Sequence, residues 1–286
     1  MGHGQRRTVE VVNTIPDLRA KVASWRKAGA RVGLVPTMGA LHAGHLRLVE
    51  AAKQNSDKVI VSIFVNPAQF GPTEDFSKYP RTLEDDCAKL AVTAADLVFA
   101  PNATEMYPPE FATRVVPAGA AFGLESDFRP HFFEGVATVC CKLFTASGAD
   151  IACFGEKDFQ QLAVVRQIAR DLDVPIRIVG VPTERETDGL AMSSRNRFLS
   201  PDERKVAAKI SRTLSETAKA IREIQDADQA CAAAISQLTK LGFKVDYLVL
   251  RDAETLQPAE SASDRPLRLL VAAWLGKTRL IDNIGV

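Results

Sequence analysis

The chain has 286 residues, enough for one large or two medium domains with a substantial core. Its 36 lysine and arginine residues nearly balance 35 aspartate and glutamate residues, so charge gives no reason to expect a nucleic-acid or membrane partner. No apolar run approaches the roughly 20 residues of a membrane helix, residues 1–7 read as a loose tail rather than a signal peptide, and five cysteines, an odd number, argue against a disulfide framework. We therefore expect a cytoplasmic protein.

Strand and helix patterns alternate through the first part of the chain. Runs rich in β-branched and apolar residues predict strands at 9–12, 32–35, 58–65, 96–100, 151–154 and 176–181. Helical patterns lie between them, and Thr14 precedes the first helix as its cap, with Pro16 in the first turn. Further helices are predicted at about 83–94, 135–144 and 155–172. This alternation indicates an α/β fold with a doubly wound parallel sheet.

The pattern changes near residue 185, where we place the start of a second domain. Ser200, Pro201 and Glu203 form a predicted capping box. The helix that it begins places apolar side chains on one face, namely Val206, Ile210, Leu214 and Ile221. A second helix is predicted at 227–241, and strands at 245–250, 267–274 and 278–281. We therefore expect a first domain at 1–184 and a smaller, mostly antiparallel α+β domain at 185–286.

The segment from Pro36 to His45 joins a predicted strand to a predicted helix through a turn that contains glycine. Such a turn is a natural phosphate site, because the unpaired N–H groups at the helix start favour an anion. His42 and His45 lie on either side of the expected helix start, so both rings can face the same phosphates. This turn contains two of the four histidines of the chain. The alternative is that both are solvent-facing turn residues.

Histidines in this position suit chemistry at the α-phosphorus of ATP. Attack there spreads charge over phosphate oxygens, and fixed donors stabilise that charge without a covalent role for the protein. Histidine donates from a compact ring and ordinarily titrates near neutrality. The His-Ala-Gly-His motif resembles the His-Ile-Gly-His signature of the nucleotidyltransferase superfamily, which includes the class I aminoacyl-tRNA synthetases. That resemblance implies adenylate chemistry and names no substrate.

Two further segments offer groups suited to a triphosphate. Lys157, within Gly155–Asp158, lies at a strand-to-helix turn where an ammonium can contact phosphates. The segment Met192–Arg195 offers two hydroxyls, backbone N–H groups and a guanidinium. Simpler interpretations stay open: Lys157 could be merely exposed, Asp158 and Gln161 could form a capping pair, and the two serines could belong to an interdomain linker.

Motifs spread over the chain occur in the same order in one enzyme family. They are Pro36–His45, Val61–Phe70, Tyr79–Thr82, Phe154–Leu162, Asp188–Asn196 and Leu280–Asn283. In these motifs the chain resembles the pantothenate synthetase (pantoate–β-alanine ligase) family from about residue 10 onward. The resemblance implies a Rossmann-like N-terminal domain that holds the active site, a C-terminal lid domain, and a homodimer. It also implies a Mg·ATP-driven condensation of (R)-pantoate with β-alanine through a pantoyl-adenylate, with release of AMP and pyrophosphate.

The resemblance assigns roles at the phosphates by position. It implies that His45 is the catalytic proton donor and that His42 and Lys157 act with it. The residues implied for ATP binding are Met38, Gly39, Ala40, Leu41, His42, Ala43, Gly44, His45, Gly155, Glu156, Lys157, Asp158, Glu184, Met192, Ser193, Ser194 and Arg195. At the position of Glu184 the family contacts adenine through the backbone.

The resemblance also implies which residues bind pantoate, β-alanine and magnesium. Gln69 and Gln161 match the pair that holds pantoate, with Gln69 also near β-alanine. Asp85 and Asp86 match possible ligands near magnesium, and a solvated helix face is the alternative role for them.

The chain departs from the family pattern at one place, and two other functions share the histidine motif. The family reads Arg-Pro-Gly-His-Phe, whereas this chain has His131 and Phe132 at the glycine and histidine positions, so we carry over no role for that histidine. One alternative is a nucleotidyltransferase of the cytidylyltransferase type, which keeps the nucleotide on its product; the substrate-side glutamines argue against it. The other is a non-catalytic nucleotide-binding module, against which the complete set of phosphate-binding residues argues.

Overall fold

The computed structural model describes residues 8–71, 76–224, 226–259 and 265–286, so the predicted tail at 1–7 lies outside the described residues. The chain divides into two compact units. The first unit is formed by the described residues of Met1–Gly155 and Val164–Val181, and the second by those of Glu156–Ala163 and Pro182–Val286. The sequence led us to predict a single boundary after residue 184, but the chain passes between the units after residues 155, 163 and 181.

The elements follow the predicted order. The strands are β1 (Glu10–Val12), β2 (Val32–Thr37), β3 (Lys58–Ile63), β4 (Leu97–Phe99), β5 (Ile151–Gly155), β6 (Arg177–Val181), β7 (Phe243–Asp252), β8 (Leu267–Leu275) and β9 (Thr278–Gly285). The helices are α1 (Ile15–Lys27), α2 (Ala43–Asn55), α3 (Leu83–Leu90), α4 (Ala103–Met106), α5 (Glu125–Phe128), α6 (Phe132–Ser147), α7 (Phe159–Asp171), α8 (Pro201–Ala207), α9 (Lys209–Ile224) and α10 (Ala227–Lys240). Short 3₁₀ turns lie at Pro67–Gln69, Phe76–Lys78, Gly119–Ala121, Glu156–Asp158 and Ser194–Phe198.

The described strands of the first unit form one parallel sheet in the order β1-β4-β3-β2-β5-β6. The order runs outward in both directions from β2, which confirms the doubly wound sheet. Val35, Val59 and Val61 are completely buried, as expected where both faces of a sheet are covered. Because β2 and β3 are parallel neighbours that end at Thr37 and Ile63, the segments after them leave the same edge of the sheet.

The second unit contains an antiparallel sheet in the order β7-β8-β9, which confirms the predicted α+β character. The apolar stripe predicted after the capping box supplies much of its core, because Ile210, Leu214 and Ile221 are each buried. They belong to one hydrophobic cluster with Leu238 of α10 and Leu269 of β8.

The predicted helix caps are confirmed. The Thr14 side chain accepts a hydrogen bond from the Asp17 N–H at 3.2 Å. Ser200 and Glu203 form the reciprocal capping box, in which the Ser200 N–H donates to the Glu203 carboxylate at 2.8 Å and the Glu203 N–H to the Ser200 hydroxyl at 3.2 Å.

Two predicted helices are broken or end early. The helix that begins after Ser200 is interrupted at Ala208, whose N–H turns to the Val206 carbonyl, so it forms α8 and α9. Helix α3 ends at Leu90 rather than near residue 94, because both the N–H and the hydroxyl of Thr93 donate to the Leu90 carbonyl. Among the residues that the structure describes, no helix is long and apolar enough to cross a bilayer.

Candidate active site

The histidine turn, Met38–His45, joins β2 to α2, and the helix begins at Ala43 as the motif predicted. The backbone N–H of His42 donates to Nδ1 of His45 across 3.3 Å, and the two ring centroids lie 4.1 Å apart. Because Nδ1 accepts this hydrogen bond, the neutral ring of His45 carries its proton on Nε2. The turn therefore presents an oriented imidazole donor at a helix N-terminus, where anions are favoured.

Two left-handed residues shape this turn. The φ angle is +82° at Gly39 and +51° at Ala40, and the second value costs energy in a residue with a Cβ. The carboxylate of Asp86 offsets that cost, because it accepts the N–H groups of Ala40 and Leu41 at 2.8 Å each. A Cβ at Gly39 would lie 3.2 Å from the same carboxylate. Asp86 therefore holds the histidine turn in its conformation.

Asp86 belongs to a polar cluster at the start of α3. Its carboxylate also accepts from the Thr82 hydroxyl at 3.1 Å and lies 3.7 Å from the Lys89 ammonium, which donates to the Leu41 carbonyl at 2.8 Å. The Asp86 side chain is completely buried and both its oxygens are bonded to protein donors. A solvated helix face does not describe such a carboxylate, which corrects that interpretation for this residue. Since both oxygens are bonded to protein donors, we propose no magnesium role for Asp86.

Asp85, in contrast, is exposed on α3. Across the described ranges of the chain, no group of three or more histidine, cysteine, aspartate or glutamate side chains is placed to hold a metal ion. Magnesium that enters with ATP is normally held by phosphate oxygens, water and only one or two carboxylates. Of the two predicted ligands, only Asp85 fits that arrangement.

We expect Asp86→Asn to destabilise the protein. An amide can accept only one of the two backbone N–H groups and directs its own N–H₂ at the other, and a buried unsatisfied donor costs about 1–3 kcal/mol. Urea unfolding measures this loss, and Glu84→Gln, on the exposed face of the same helix, is the matched control. Equal unfolding free energies for the two variants would contradict the role assigned to Asp86.

Gln69 lies in the 3₁₀ turn after β3, with its side chain buried. Nδ2 of Asn66 donates to Gln69 Oε1 at 2.9 Å and to the Gly135 carbonyl at 3.1 Å. Oδ1 of Asn66 accepts from the Ala68 N–H at 3.2 Å and from the Tyr107 hydroxyl at 2.8 Å. These contacts fix the orientation of both amides, so Gln69 presents its Nε2 group as a donor.

Arg129 supports the backbone of the same turn. Its guanidinium donates to the Gln69 carbonyl at 3.1 Å and lies 3.8 Å from the ring centroid of Phe132. Phe132 occupies the position at which the sequence departs from the family pattern, and here its ring stacks on the guanidinium. His131 is exposed directly before α6. The phenylalanine therefore helps to place Arg129, whereas the neighbouring histidine is exposed.

In the second unit, Lys157 lies in the 3₁₀ turn directly after β5, where 19% of its side chain is exposed and its ammonium is 3.9 Å from the Asp158 carboxylate. The backbone of this turn is bonded from β9. Nδ2 of Asn283 donates to the carbonyls of Glu156 and Lys157 at 2.9 and 2.8 Å. Lys157 is therefore a largely buried cation on a supported turn, which corrects the alternative of a merely exposed side chain.

The second unit also brings the backbone of Glu184 next to the segment with the two candidate serines. The Met192 N–H donates to the Glu184 carbonyl at 2.9 Å. Ser193 then caps a 3₁₀ turn, because its hydroxyl accepts the Arg195 N–H at 3.2 Å. Ser194 is half-buried in the first position of that turn. These residues form an ordered loop rather than a plain linker.

Arg185 connects this loop to β9. Its guanidinium forms a two-pronged pair with the Asp282 carboxylate at 2.7 and 2.9 Å and donates to the Gly189 carbonyl at 3.0 Å. The hydrogen bonds to Asp282 raise the pKa of Arg185, and the charge of the carboxylate acts in the same direction against the effect of burial. The guanidinium therefore stays charged.

Gln161 lies in the first turn of α7 and is half-buried. It belongs to the second unit, whereas Gln69 belongs to the first. Within the first unit, the described structure groups the histidine turn with Asp86 and Gln69 with Asn66. Within the second, it groups Lys157 with Asn283.

Sequence reasoning missed several residues that hold these segments, namely Asn66, Arg185, Arg268, Asp282 and Asn283. A signal was present for the last two, because a polar pair interrupts an otherwise apolar strand pattern, Leu280-Ile-Asp-Asn-Ile284. Buried polar groups in a strand require partners. The pattern does not say which segment supplies them.

Comparison with known proteins covers nearly the whole chain. The model of the family described as pantoate–β-alanine ligase matches residues 10–285. The chain belongs to this family. A pantothenate synthetase of Bradyrhizobium sp. is 55% identical over 281 residues, which is 98% of this chain and 99% of the relative. A pantothenate synthetase of Paramagnetospirillum magneticum is 54% identical over 279 residues, which is 97% of this chain and 98% of the relative.

Solved structures of the family have the same fold. The pantothenate synthetase of Thermus thermophilus superposes with a TM-score of 0.90 at 45% identity, covering 96% of this chain and 99% of that one. The pantoate–β-alanine ligase of Francisella tularensis, solved in complex with β-γ ATP and β-alanine, has a TM-score of 0.82 at 33% identity, covering 96% and 97%. As a member of the pantoate–β-alanine ligase family, this protein is an enzyme that joins pantoate to β-alanine.

Proposed function

We propose that the protein activates (R)-pantoate with ATP to give a pantoyl-adenylate and pyrophosphate, and then transfers the pantoyl group to β-alanine with release of AMP. The observation that carries this proposal is the histidine turn, in which His45 holds an Nε2–H donor at the N-terminus of α2. The complex of the Francisella relative with β-γ ATP and β-alanine supports ATP as a substrate here.

The chemistry requires activation because a carboxylate is a poor electrophile towards an amine. Attack of a pantoate oxygen on the α-phosphorus expels pyrophosphate and leaves the acyl group with AMP as its leaving group. Negative charge builds on phosphate oxygens during this step, and donors fixed before the reaction stabilise it best. His45 supplies such a donor, with His42 beside it. No nucleophilic side chain is needed.

We assign ATP binding to Met38–His45, Gly155–Asp158, the backbone of Glu184 and Met192–Arg195. The ammonium of Lys157 and the guanidinium of Arg195 are the charged donors of this set. Magnesium would accompany the phosphates with Asp85 as its candidate protein ligand, and it would supply further neutralisation of phosphate charge.

We expect Gln69→Ala and Gln161→Ala to weaken pantoate binding and to spare ATP binding. Neutral amides can hydrogen-bond a hydroxy acid without immobilising its carboxylate, and the network around Asn66 binds Oε1 of Gln69, so that Nε2 is the donor of this amide. Calorimetric titration of pantoate and ATP measures both affinities, with Gln54→Ala on the exposed α2 surface as control. Unchanged pantoate affinity in both variants would contradict the prediction. Gln161 would then have only a capping role, and Gln69 would not belong to the pantoate site.

β-Alanine reacts second in this scheme. An ammonium with a pKa near 10 is only about one part in a thousand neutral at pH 7, by analogy with lysine. Attack therefore depends on holding the small neutral fraction close to the acyl carbon, and proximity can supply much of the rate. The adenylate must meanwhile be kept from water, which is the reason for the closing role that the family resemblance implies for residues 185–286.

We also propose that the protein is a homodimer that works in the cytoplasm. Analytical ultracentrifugation of the purified protein tests the first statement, with a single species of twice the 31.1 kDa chain mass as the expected result. Fractionation of the source cells tests the second.

One assay decides the function. We expect AMP release that requires ATP, pantoate and β-alanine together. Exchange of isotope between the bridging and non-bridging positions of ATP should occur with pantoate alone, because adenylate formation precedes β-alanine binding.

Other outcomes exclude the proposal in distinct ways. A product that retains the nucleotide would indicate a nucleotidyltransferase of the cytidylyltransferase type. ATP binding without turnover of any of these substrates would indicate a binding module. Isotope exchange that appears only with β-alanine would leave the ligation intact but contradict the stepwise order.

A further inference from the structure

The pair Asp282–Asn283 on β9 is a polar interruption in an apolar strand. The two residues are 4% and 2% exposed, and the strand is otherwise built from residues such as Leu280, Ile281 and Ile284. Burial of polar groups costs free energy unless each is hydrogen-bonded. Here both residues are hydrogen-bonded. Asn283 contacts the Glu156–Asp158 turn, and Asp282 contacts Arg185, next to Glu184.

Asn283 is bonded through both ends of its amide. Nδ2 donates to the carbonyls of Glu156 and Lys157 at 2.9 and 2.8 Å, and Oδ1 accepts from Nε of Arg268 at 2.7 Å. Because the guanidinium can only donate and the carbonyls can only accept, the orientation of the amide is fixed. The two carbonyls belong to consecutive residues, so Asn283 sets the position of the peptide from which the Lys157 side chain projects.

Arg268 completes this support. Its guanidinium lies 3.1 Å from the Glu156 carboxylate and 4.3 Å from the ring centroid of Phe159, the first residue of α7. Burial lowers the pKa of Arg268, against the opposing effect of the Glu156 charge. A planar cation that stacks on one side and pairs on the other has little freedom to move, so the amide that it contacts is held as well.

Asp282 makes the equivalent connection to the other segment. Its carboxylate pairs with Arg185, which follows Glu184 in the chain and donates to the Gly189 carbonyl. Since Arg185 also forms an antiparallel bridge with Ala191, fixing Arg185 fixes the start of the Met192–Arg195 segment. Adjacent residues on one strand therefore bond two segments that are distant in sequence.

We propose that Asp282 and Asn283 are positioning residues for ATP: Asn283 sets the place of Lys157, and Asp282, through Arg185, sets the place of the Met192–Arg195 segment. The pair itself does not touch the nucleotide. This inference rests on the proposed function only in taking Lys157 and Met192–Arg195 as phosphate-binding groups.

The sharpest variant is Asn283→Asp, which keeps the shape and the acceptor for Arg268 but turns a second oxygen towards two carbonyls. Asn283→Ala removes the Nδ2 donor without adding repulsion between oxygens. This variant replaces Asn283→Asp in the measurement if Asn283→Asp folds poorly. We expect the Kd for ATP, measured by calorimetry on the full chain without other substrates, to rise about tenfold in Asn283→Ala and further in Asn283→Asp. The Kd for pantoate should stay unchanged.

The matched control is Asp246→Asn, which disturbs a comparably buried ion pair in the same sheet. Asp246 accepts from Arg279 at 2.8 Å and from the Trp274 indole at 3.1 Å, and neither partner belongs to the ATP segments. It should lower the unfolding temperature and leave the ATP affinity as in the parent. If Asn283→Ala and Asn283→Asp behave like this control, losing stability with unchanged ATP affinity, the inference is overturned.

A double-mutant cycle with Lys157→Ala tests whether Asn283 affects ATP affinity through Lys157. If Asn283 acts by placing Lys157, adding Asn283→Ala to Lys157→Ala should change the ATP affinity by less than about twofold. Full additivity of the two losses would contradict the inference. Because ATP binding is read out directly, these results stand even if the ligation assay fails, and failure of that assay in the parent protein would refute the proposed function alone.

Discussion

Replacing His45 or Lys157 with alanine should lower the rate of pantoyl-adenylate formation by about two to three orders of magnitude. Both groups are placed as donors to phosphate charge that grows in the transition state, where one such donor is typically worth about 3–4 kcal/mol. The structure gives the physical basis: the His45 ring is oriented through Nδ1, and the backbone at Lys157 is bonded on two carbonyls. Rapid-quench measurement of the first turnover isolates this step from β-alanine transfer.

Matched controls are available for both variants. His131→Ala removes an exposed histidine before α6, and Lys53→Ala removes an exposed lysine of α2 that donates to the carbonyl of Asp57. Both controls should form the adenylate at the parental rate. A loss of less than about threefold in His45→Ala or Lys157→Ala, with the folded state intact by circular dichroism, would remove that residue from the mechanism.

Among glycine-to-alanine changes at the described residues of the first unit, Gly135→Ala should destabilise the protein most. A Cβ at Gly135 would lie 2.2 Å from the Ala68 carbonyl oxygen and 2.8 Å from the Gln69 nitrogen. The obstacles are backbone atoms, so either α6 or the 3₁₀ turn must shift, at a cost of about 3 kcal/mol or more. The shift also disturbs the hydrogen bond from Asn66 to the Gly135 carbonyl, so pantoate affinity should fall together with stability.

Gly148→Ala, at the other end of α6, distinguishes crowding from backbone strain. It has a left-handed φ of +53° but no atom within 4 Å of the added Cβ. It should therefore cost only about 1 kcal/mol, with pantoate affinity unchanged. Chemical unfolding and calorimetry of the two variants give the comparison. Equal effects on pantoate binding would show that Gly135 has no special contact with the Gln69 turn.

The fold was largely readable from the sequence because its signals are local or periodic. The parallel strands of the first unit are continuous apolar runs, and the predicted caps at Thr14 and Ser200 form with their expected partners. The interruption at Ala208 was not readable, since the apolar stripe continues through it without a glycine or proline. The sequence also did not predict that the division between the units falls within α7, because this division depends on contacts between residues far apart in sequence.

The candidate site was readable where a motif lies in one segment, and it was not where two segments meet. His42 and His45 could be placed at the start of α2 from their spacing alone. Asp86 could not be distinguished from its acidic neighbours, because only the structure reveals that it faces the N–H groups of Ala40 and Leu41. Asn283 stood in a recognised motif, yet the two carbonyls to which its amide donates lie more than a hundred residues earlier in the chain.

The bond between Asn283 and Lys157 has a consequence for the order of events during synthesis. The two residues are 126 positions apart, so a growing chain carries the lysine on the ribosome long before the amide that supports it has been translated. A nascent chain that already contains the histidine turn and the lysine thus still lacks the group that holds the lysine in place. Translation of β9 must therefore precede the full support of the turn that contains Lys157.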